Sequence, residues 1–310
     1  MSYTQNEIEL IRQRAKVLIP NEINPETGLP RDLILSFMTD ADLALQGLIM
    51  DNCPNQTIFH KQYEFDIVAN QRNYDLPADV FATGDIDRVE YTWDGSAKYY
   101  KTICPLDPSN FENYPNYRVE GYQIVGNEIW IDPMPQTSQG RIRITYNKQT
   151  EKLDVRRGTI ASAANDGTYY LSITLEDDDI LDDTQFANYE FICVNNKHGD
   201  EVHYNIEYSS YDSTTRVFTL PAATVLMATG AIVAGQFVTL DKYSTTHSRF
   251  PRFCDEYRKL YSVIRILEVN SNVDVLSLAA SLSVLEERIV SAFQRRQHTP
   301  QGITYVSIDE

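Results

Sequence analysis

Residues 251–298 read PRFCDEYRKLYSVIRILEVNSNVDVLSLAASLSVLEERIVSAFQRRQH, and their spacing decides the fold. Tyr257, Leu260, Tyr261, Ile264 and Leu267 recur three or four apart, as one apolar stripe of a helix requires. Leu278, Leu282, Leu285, Ile289 and Phe293 form a second such stripe. Between them, Ser271-Asn272-Val273-Asp274 places a capping serine three residues ahead of an acid, which starts a new helix. Two amphipathic helices on a short turn pack antiparallel, yet each needs a further partner for its remaining apolar surface. The other strongly helical sequence lies at the opposite end of the chain. The expectation is therefore an α+β protein: a helical bundle made by both termini, with the β-rich middle inserted into it.

At the N-terminus, Thr4-Gln5-Asn6-Glu7 reads as a capping box followed by Ile8, Ile11, Ala15 and Leu18 at helical spacing. Pro20, Pro25, Gly28 and Pro30 interrupt it. A longer helix starts at Pro30, where proline suits the first turn, and runs through Leu33, Phe37, Ala41, Leu45 and Leu48 to about Asp51.

From Ile58 the period changes to two. Phe59 to Ile67, Tyr74 to Val80, Ile86 to Tyr91, Tyr122 to Val125, Glu128 to Ile131 and Arg141 to Tyr146 read as strands. Asp94-Gly95 and Gly126-Asn127 mark hairpin turns, Asp132-Pro133-Met134-Pro135 a rigid turn, and Gly121 a bulge. Residues 151–155 read as a linker. A second set of strands follows: 169–175, 189–194, 202–206, 217–220 and 236–240, with an acidic loop at Glu176–Asp183. Short strands at this spacing point to a small antiparallel sandwich or barrel, so the β region divides into two subdomains. Ala222–Ala234 fits a short helix or a strand equally. The expected division is 1–57 and 246–298 for the bundle, 58–150 and 151–245 for the β parts, and 299–310 for an extended tail. In that tail Ile303 to Ile308 alternate like a strand with nothing local to pair with, and such an end frays or is captured by a partner's edge.

The formal net charge of -17 excludes a nucleic-acid clamp, which needs a basic footprint, but suits a surface past which DNA slides without sticking. Cys53, Cys104, Cys193 and Cys254 are far apart and, with no signal peptide, read as buried free thiols in a reducing compartment. No apolar run reaches the roughly 18 residues that span a bilayer. No phosphate-binding loop, dinucleotide motif or nucleophile elbow occurs, so no catalytic or cofactor residue is assigned. Glu176 to Asp183 is acidic enough for a hard cation but lacks the glycine and closing glutamate of an EF-hand, and reads as a solvated hairpin tip. His198 and His203 lack a third ligand at defined spacing, so no metal is assigned either.

The order of these pieces resembles the head-to-tail adaptors of tailed bacteriophages, the collar components called tail tubular protein A in short-tailed phages. The residues that carry the likeness are the helices around Ile8 to Asp51, the strand Tyr74-Asp75-Leu76-Pro77-Ala78-Asp79-Val80 and the hairpin Glu128-Ile129-Trp130-Ile131-Asp132-Pro133-Met134-Pro135. Ile142 to Tyr146 and Leu282 to Arg296 complete it, the latter a helix ending in arginines before an extended tail. The segment from 155 to 243 departs from the simple adaptor plan. The resemblance implies a virion protein of the neck or tail, made in the host cytoplasm. It implies a ring of identical chains, dodecameric, beneath the portal protein, joined to tail or nozzle proteins and fibres and lining the channel through which the genome is ejected. Ile303, Tyr305, Val306 and Ile308 are then the expected portal-docking arm, rooted by Arg295 and Arg296. The competing reading is a carbohydrate-binding or hydrolytic tail component using the aromatics and carboxylates of the β region; a monomeric decoration or scaffolding protein is a third.

Overall fold

The fold is that of a computed structural model, which describes residues 3–18, 30–53, 56–81, 86–93, 99–106, 119–178, 190–198, 201–222, 225, 231–270 and 275–297. It is mixed α+β. The chain divides into two compact units, Met1–Pro54 with Glu151–Glu310, and Asn55–Thr150.

The first unit holds α1 (Tyr3–Leu18), α2 (Arg31–Asn52), α3 (Asp255–Asn270) and α4 (Leu276–Gln297). Pro30 sits in extended conformation ahead of α2, its fixed φ of -61° preparing the first turn. Ile8, Ile11 and Ala15 of α1, Ile34, Leu35, Phe37 and Met38 of α2, and Val263, Ile266 and Leu267 of α3 share one core. Helices from both ends of the chain therefore bury their apolar faces against each other. Of the stripe read on α3, Tyr257, Ile264 and Leu267 are buried while Leu260 and Tyr261 are half-buried; the buried face also takes in Arg258, Ser262, Val263 and Ile266.

Two local readings are corrected. Thr4 and Glu7 do not form a capping box: Thr4 lies inside α1 and its hydroxyl donates to the Thr246 carbonyl, while Glu7 accepts from Arg258. Tertiary partners outcompete the helix end for both side chains. Residues 151–155 are not a linker either, because Leu153 and Val155 complete the helical core. Strand β8 (Lys152–Leu153) pairs in parallel with β16 (Ser244–Thr245), and the Leu153 N–H donates to Thr39 Oγ1 of α2 at 3.0 Å.

The rest of this unit is a seven-stranded antiparallel sheet. Its strands are β9 (Gly158–Asn165), β10 (Tyr170–Asp178), β11 (Phe191–Asn195), β12 (Glu201–Glu207), β13 (Ser210–Asp212), β14 (Val217–Thr219) and β15 (Phe237–Leu240), in the order β12-β11-β15-β9-β10-β14-β13. Glu176 to Asp178, read as loop, extend β10, with Asp177 opposite Thr159 and Asp178 opposite Gly158. The remainder of that acidic run and most of Ala222–Ala234 lie outside the described residues.

The second unit is also one seven-stranded sheet. It contains β1 (His60–Asp66), β2 (Asn73–Asp75), β3 (Ile86–Thr92), β4 (Lys101–Pro105), β5 (Gly121–Val125), β6 (Glu128–Asp132) and β7 (Arg141–Asn147), in the order β1-β7-β3-β4-β5-β6-β2. Only β4–β5 is parallel among these pairings. Alternation works as read: Ile142, Ile144 and Tyr146 are fully buried, while Arg143 faces the other way and meets Glu90. Gly126, at φ +62°, makes the tight β5–β6 turn.

Neither sheet is a closed barrel or a face-to-face sandwich in its hydrogen bonding. The β1–β7 sheet curls instead, so that Phe65 of β1 stacks on Tyr74 of β2, centroids 4.6 Å apart, from opposite ends of the strand order. Gly121 starts β5 rather than bulging it, and Leu106 fills the space a β-carbon would take. Of the cysteines, Cys53, Cys193 and Cys254 are buried free thiols, whereas Cys104 is exposed.

Candidate functional site

The sequence places its candidates at the end of α4, and α3 is what holds α4 in place. Arg258 is completely buried. Its Nε donates to Asp42 Oδ1 of α2 at 2.7 Å and its Nη1 to Glu7 Oε2 of α1 at 2.8 Å; Asp255 Oδ1 lies 3.6 Å from the same Nη1. A guanidinium can satisfy several acceptors at once because its donors are fixed in a planar fork. One side chain thus ties three helices together. Burial pushes the carboxyls of Glu7 and Asp42 above the ordinary range, against the pull of Arg258. At the preceding position on α3, burial lifts the Tyr257 hydroxyl far above its usual value, and the Glu286 carboxylate of α4 adds to this by accepting from it.

The two halves of α4 differ. In the second, Ile289 and Phe293 are buried and Phe293 packs on Phe253, centroids 5.6 Å apart. Val290 O accepts from the Cys53 thiol at 3.8 Å, and Gln294 reaches Asn52 O at 3.5 Å, fastening this half to the end of α2. The first half, Leu276 to Leu285, contains no charged residue and no buried one. Leu276 is 74% and Val284 46% exposed, and Leu278, Leu282 and Leu285 are half-buried, separated by exposed Ser277, Ala279, Ala280, Ser281 and Ser283. Of the predicted apolar stripe, Ile289 and Phe293 are buried and Leu278 packs in part against the helical core. Val269, at the end of α3, is also exposed. Exposed helix faces are normally charged, so the ten uncharged positions stand out in a chain of net charge -17.

Of the expected arm, Arg295 is exposed near the end of α4 and Arg296 follows within the same helix. Ile303, Tyr305, Val306 and Ile308 lie outside the described residues. The Arg258 cluster was not legible in advance. Glu7 has a local reading as a cap, and a buried arginine on an apolar face carries no periodic signal.

In the β units, the recurrent aspartates are structural anchors. Asp79 is buried and accepts from Tyr146 Oη at 2.7 Å and Lys61 Nζ at 3.0 Å, with Lys148 Nζ at 4.0 Å. Asp132 accepts from Arg72 at 2.8 Å. Among the described residues no three histidine, cysteine or carboxylate side chains converge as a metal would need. His198 is exposed in a turn, and His203 is buried edge-on to Tyr170.

The sequence model of the SU10 adaptor protein matches residues 6–184. The chain belongs to the SU10 adaptor protein family. It is thus an adaptor-type structural protein of a bacteriophage, a virion component of the neck or tail region. No curated protein matches it. The matched span of the adaptor takes in α1, α2, the whole sheet β1–β7 and β8 to β10; α3 and α4 lie beyond it.

Proposed function

We propose that this adaptor joins head to tail as a closed ring of identical chains, dodecameric, seated beneath the portal and bound on its far side to tail or nozzle proteins. In this reading the four helices form a bundle wedge, and the uncharged half of α4 is the surface on which the next copy packs. That half-helix is the observation that supports the reading best. Two chains of net charge -17 repel over most of their surfaces, and their closest approach is favoured where charge is missing. A heterologous contact of this kind closes into a ring when its rotation divides the circle. The acidic balance also keeps a DNA channel from retaining the genome.

The tail from residue 299 to 310 is the portal-docking arm. Ile303, Tyr305, Val306 and Ile308 add a strand to a portal edge, and Arg295 and Arg296 pair with acidic groups at its root. Two measurements test this. Images or a mass of the purified chain, alone and with portal, should show a ring. Removal of residues 299–310 should leave a folded protein that no longer joins portal rings. A strictly monomeric chain in both conditions, or unchanged co-assembly after truncation, overturns the corresponding half of the proposal.

A further inference from the structure

We propose that the Arg258 cluster binds a proton on Glu7, and that the docking of α1 is therefore proton-coupled. The geometry starts from a charge count. Glu7 of α1, Asp42 of α2 and Asp255 of α3 face Arg258 and Lys259 of α3, so three carboxylates meet two cations. Asp42 is well provided for: Arg258 Nε donates to it at 2.7 Å and the Ser248 hydroxyl also faces it. Burial still pushes its carboxyl above the ordinary range, so Asp42 contributes to the pH dependence in the same direction as Glu7.

Glu7 and Asp255 are not equally served. Both converge on the single nitrogen Nη1, at 2.8 and 3.6 Å. Glu7 Oε1 is buried and has no hydrogen-bond donor, the Lys259 ammonium standing 3.9 Å away; Asp255 Oδ1 is likewise buried without a donor. A buried carboxylate oxygen without a donor costs free energy as long as the group is ionised. A proton on Glu7 Oε1 turns that oxygen into a hydroxyl and removes the surplus negative charge in one step. Burial and the nearby Asp255 carboxylate both favour that protonated form, and Arg258 opposes it with the smaller effect. The other titratable group facing the cluster, Tyr257, has its hydroxyl held by Glu286 of α4 and stays neutral.

The sign of the effect follows. A carboxyl that holds its proton more tightly folded than unfolded adds stability as pH falls through its folded value, and loses it as pH rises. The grip on α1 therefore tightens as pH falls through the raised folded value toward about 4.3, the ordinary glutamate value. Each unit of difference appears as about a tenfold change in the folding constant.

The experiment uses the full chain and its Glu7→Gln variant. Denaturant midpoints are followed from about pH 8 to about pH 5, in high salt so that surface carboxylates are screened and the buried cluster is not. The native midpoint should rise on acidification and the Glu7→Gln midpoint should rise less steeply, Asp42 being the raised carboxyl that remains. Infrared spectra should show a protonated carboxyl carbonyl band in the native chain that Glu7→Gln weakens. Should Glu7→Gln fail to fold, Asp255→Asn serves instead: removing the like charge should move the native transition to lower pH. An unchanged slope in Glu7→Gln, a carboxyl band of undiminished intensity in it, or an unshifted transition in Asp255→Asn overturns the proposal.

Discussion

Placing glutamate at both Leu276 and Val284 puts charge on the uncovered half of α4 without touching any buried contact. Fully burying a leucine or valine side chain is worth about 1.5–3 kcal/mol. With 74% of Leu276 and 46% of Val284 still open, a neighbour that covers both gains roughly 2–3.5 kcal/mol per contact, scaling that transfer value by the exposed fractions. Losing it weakens each contact by about 20- to 300-fold, and burying two carboxylates adds to the loss. The monomer should barely notice. Exposed substitutions usually stay within about 0.5 kcal/mol, and an acid in the first turn of α4 suits the helix dipole. Sedimentation of the native and double-variant chains over a concentration series reads the association; thermal unfolding of the dilute chains reads the fold. Unchanged association would remove the α4 flank from the ring contact. A loss of fold stability as large as the loss of association would show that the flank is internal support rather than an interface.

Three further outcomes follow from buried groups. Arg258→Met leaves Asp42 and Glu7 buried without their shared cation and should cost about 3–5 kcal/mol in denaturant unfolding; adding Glu7→Gln and Asp42→Asn should recover a large part of that. Asp79→Ala removes the buried acceptor of the Tyr146 hydroxyl and of Lys61 Nζ, and should lower the unfolding free energy of the Asn55–Thr150 unit by about 1–3 kcal/mol, read by hydrogen exchange in β1 and β7. Gly121→Ala brings a β-carbon to 2.3 Å from Leu106 Cγ, and the forced shift should cost about 1–3 kcal/mol, visible as a lower melting temperature.

What the sequence discloses here is whatever leaves a periodic trace. Ile142, Ile144 and Tyr146 alternate and are buried together, and Gly126 turns the hairpin its neighbours announce. The boundaries of α1, α2, α3 and α4 follow from their apolar spacing and from Pro30. What stays hidden depends on partners far away in the chain. Glu7 has a plausible cap partner in Thr4, three residues before it, and only Arg258, 251 residues on, reveals its role. The run 151–155 looks like a linker because charged Lys152 and Asp154 flank Leu153, yet both charges are engaged, Lys152 with Asp241 at 2.6 Å and Asp154 with Arg157 at 2.7 Å. On α4 the stripe was legible but not its exposure, since spacing shows which side chains share a face and not what that face meets. The arm residues Ile303, Tyr305, Val306 and Ile308 remain sequence expectations.

The end of the family match at residue 184 is not a boundary of the fold. Strand β9 lies inside the match, but its neighbour β15 lies beyond it, with Phe237 opposite Thr159 and Val238 opposite Gly158. The seam that joins this sheet to the helices is equally divided. Arg157 is buried between Asp154 and Asp32 of α2, the Leu240 N–H donates to Asp154 at 2.8 Å, and buried Glu151 accepts from Arg249 and Tyr204. Cutting after residue 184 takes Leu240 from Asp154 and both Arg249 and Tyr204 from Glu151, along with α3 and its Arg258. It also uncovers Ile160, Tyr170, Ile173 and Leu175, four buried side chains worth about 1.5–3 kcal/mol each. That sum alone matches the 5–15 kcal/mol by which a typical domain is stable. A chain of residues 1–184 should therefore leave α1, α2 and β8–β10 unfolded, read as weakened helical circular dichroism and fast amide exchange in residues 31–52. Native-like protection of α2 in that fragment would show that the matched span folds alone and that the later strands and helices are an addition to it.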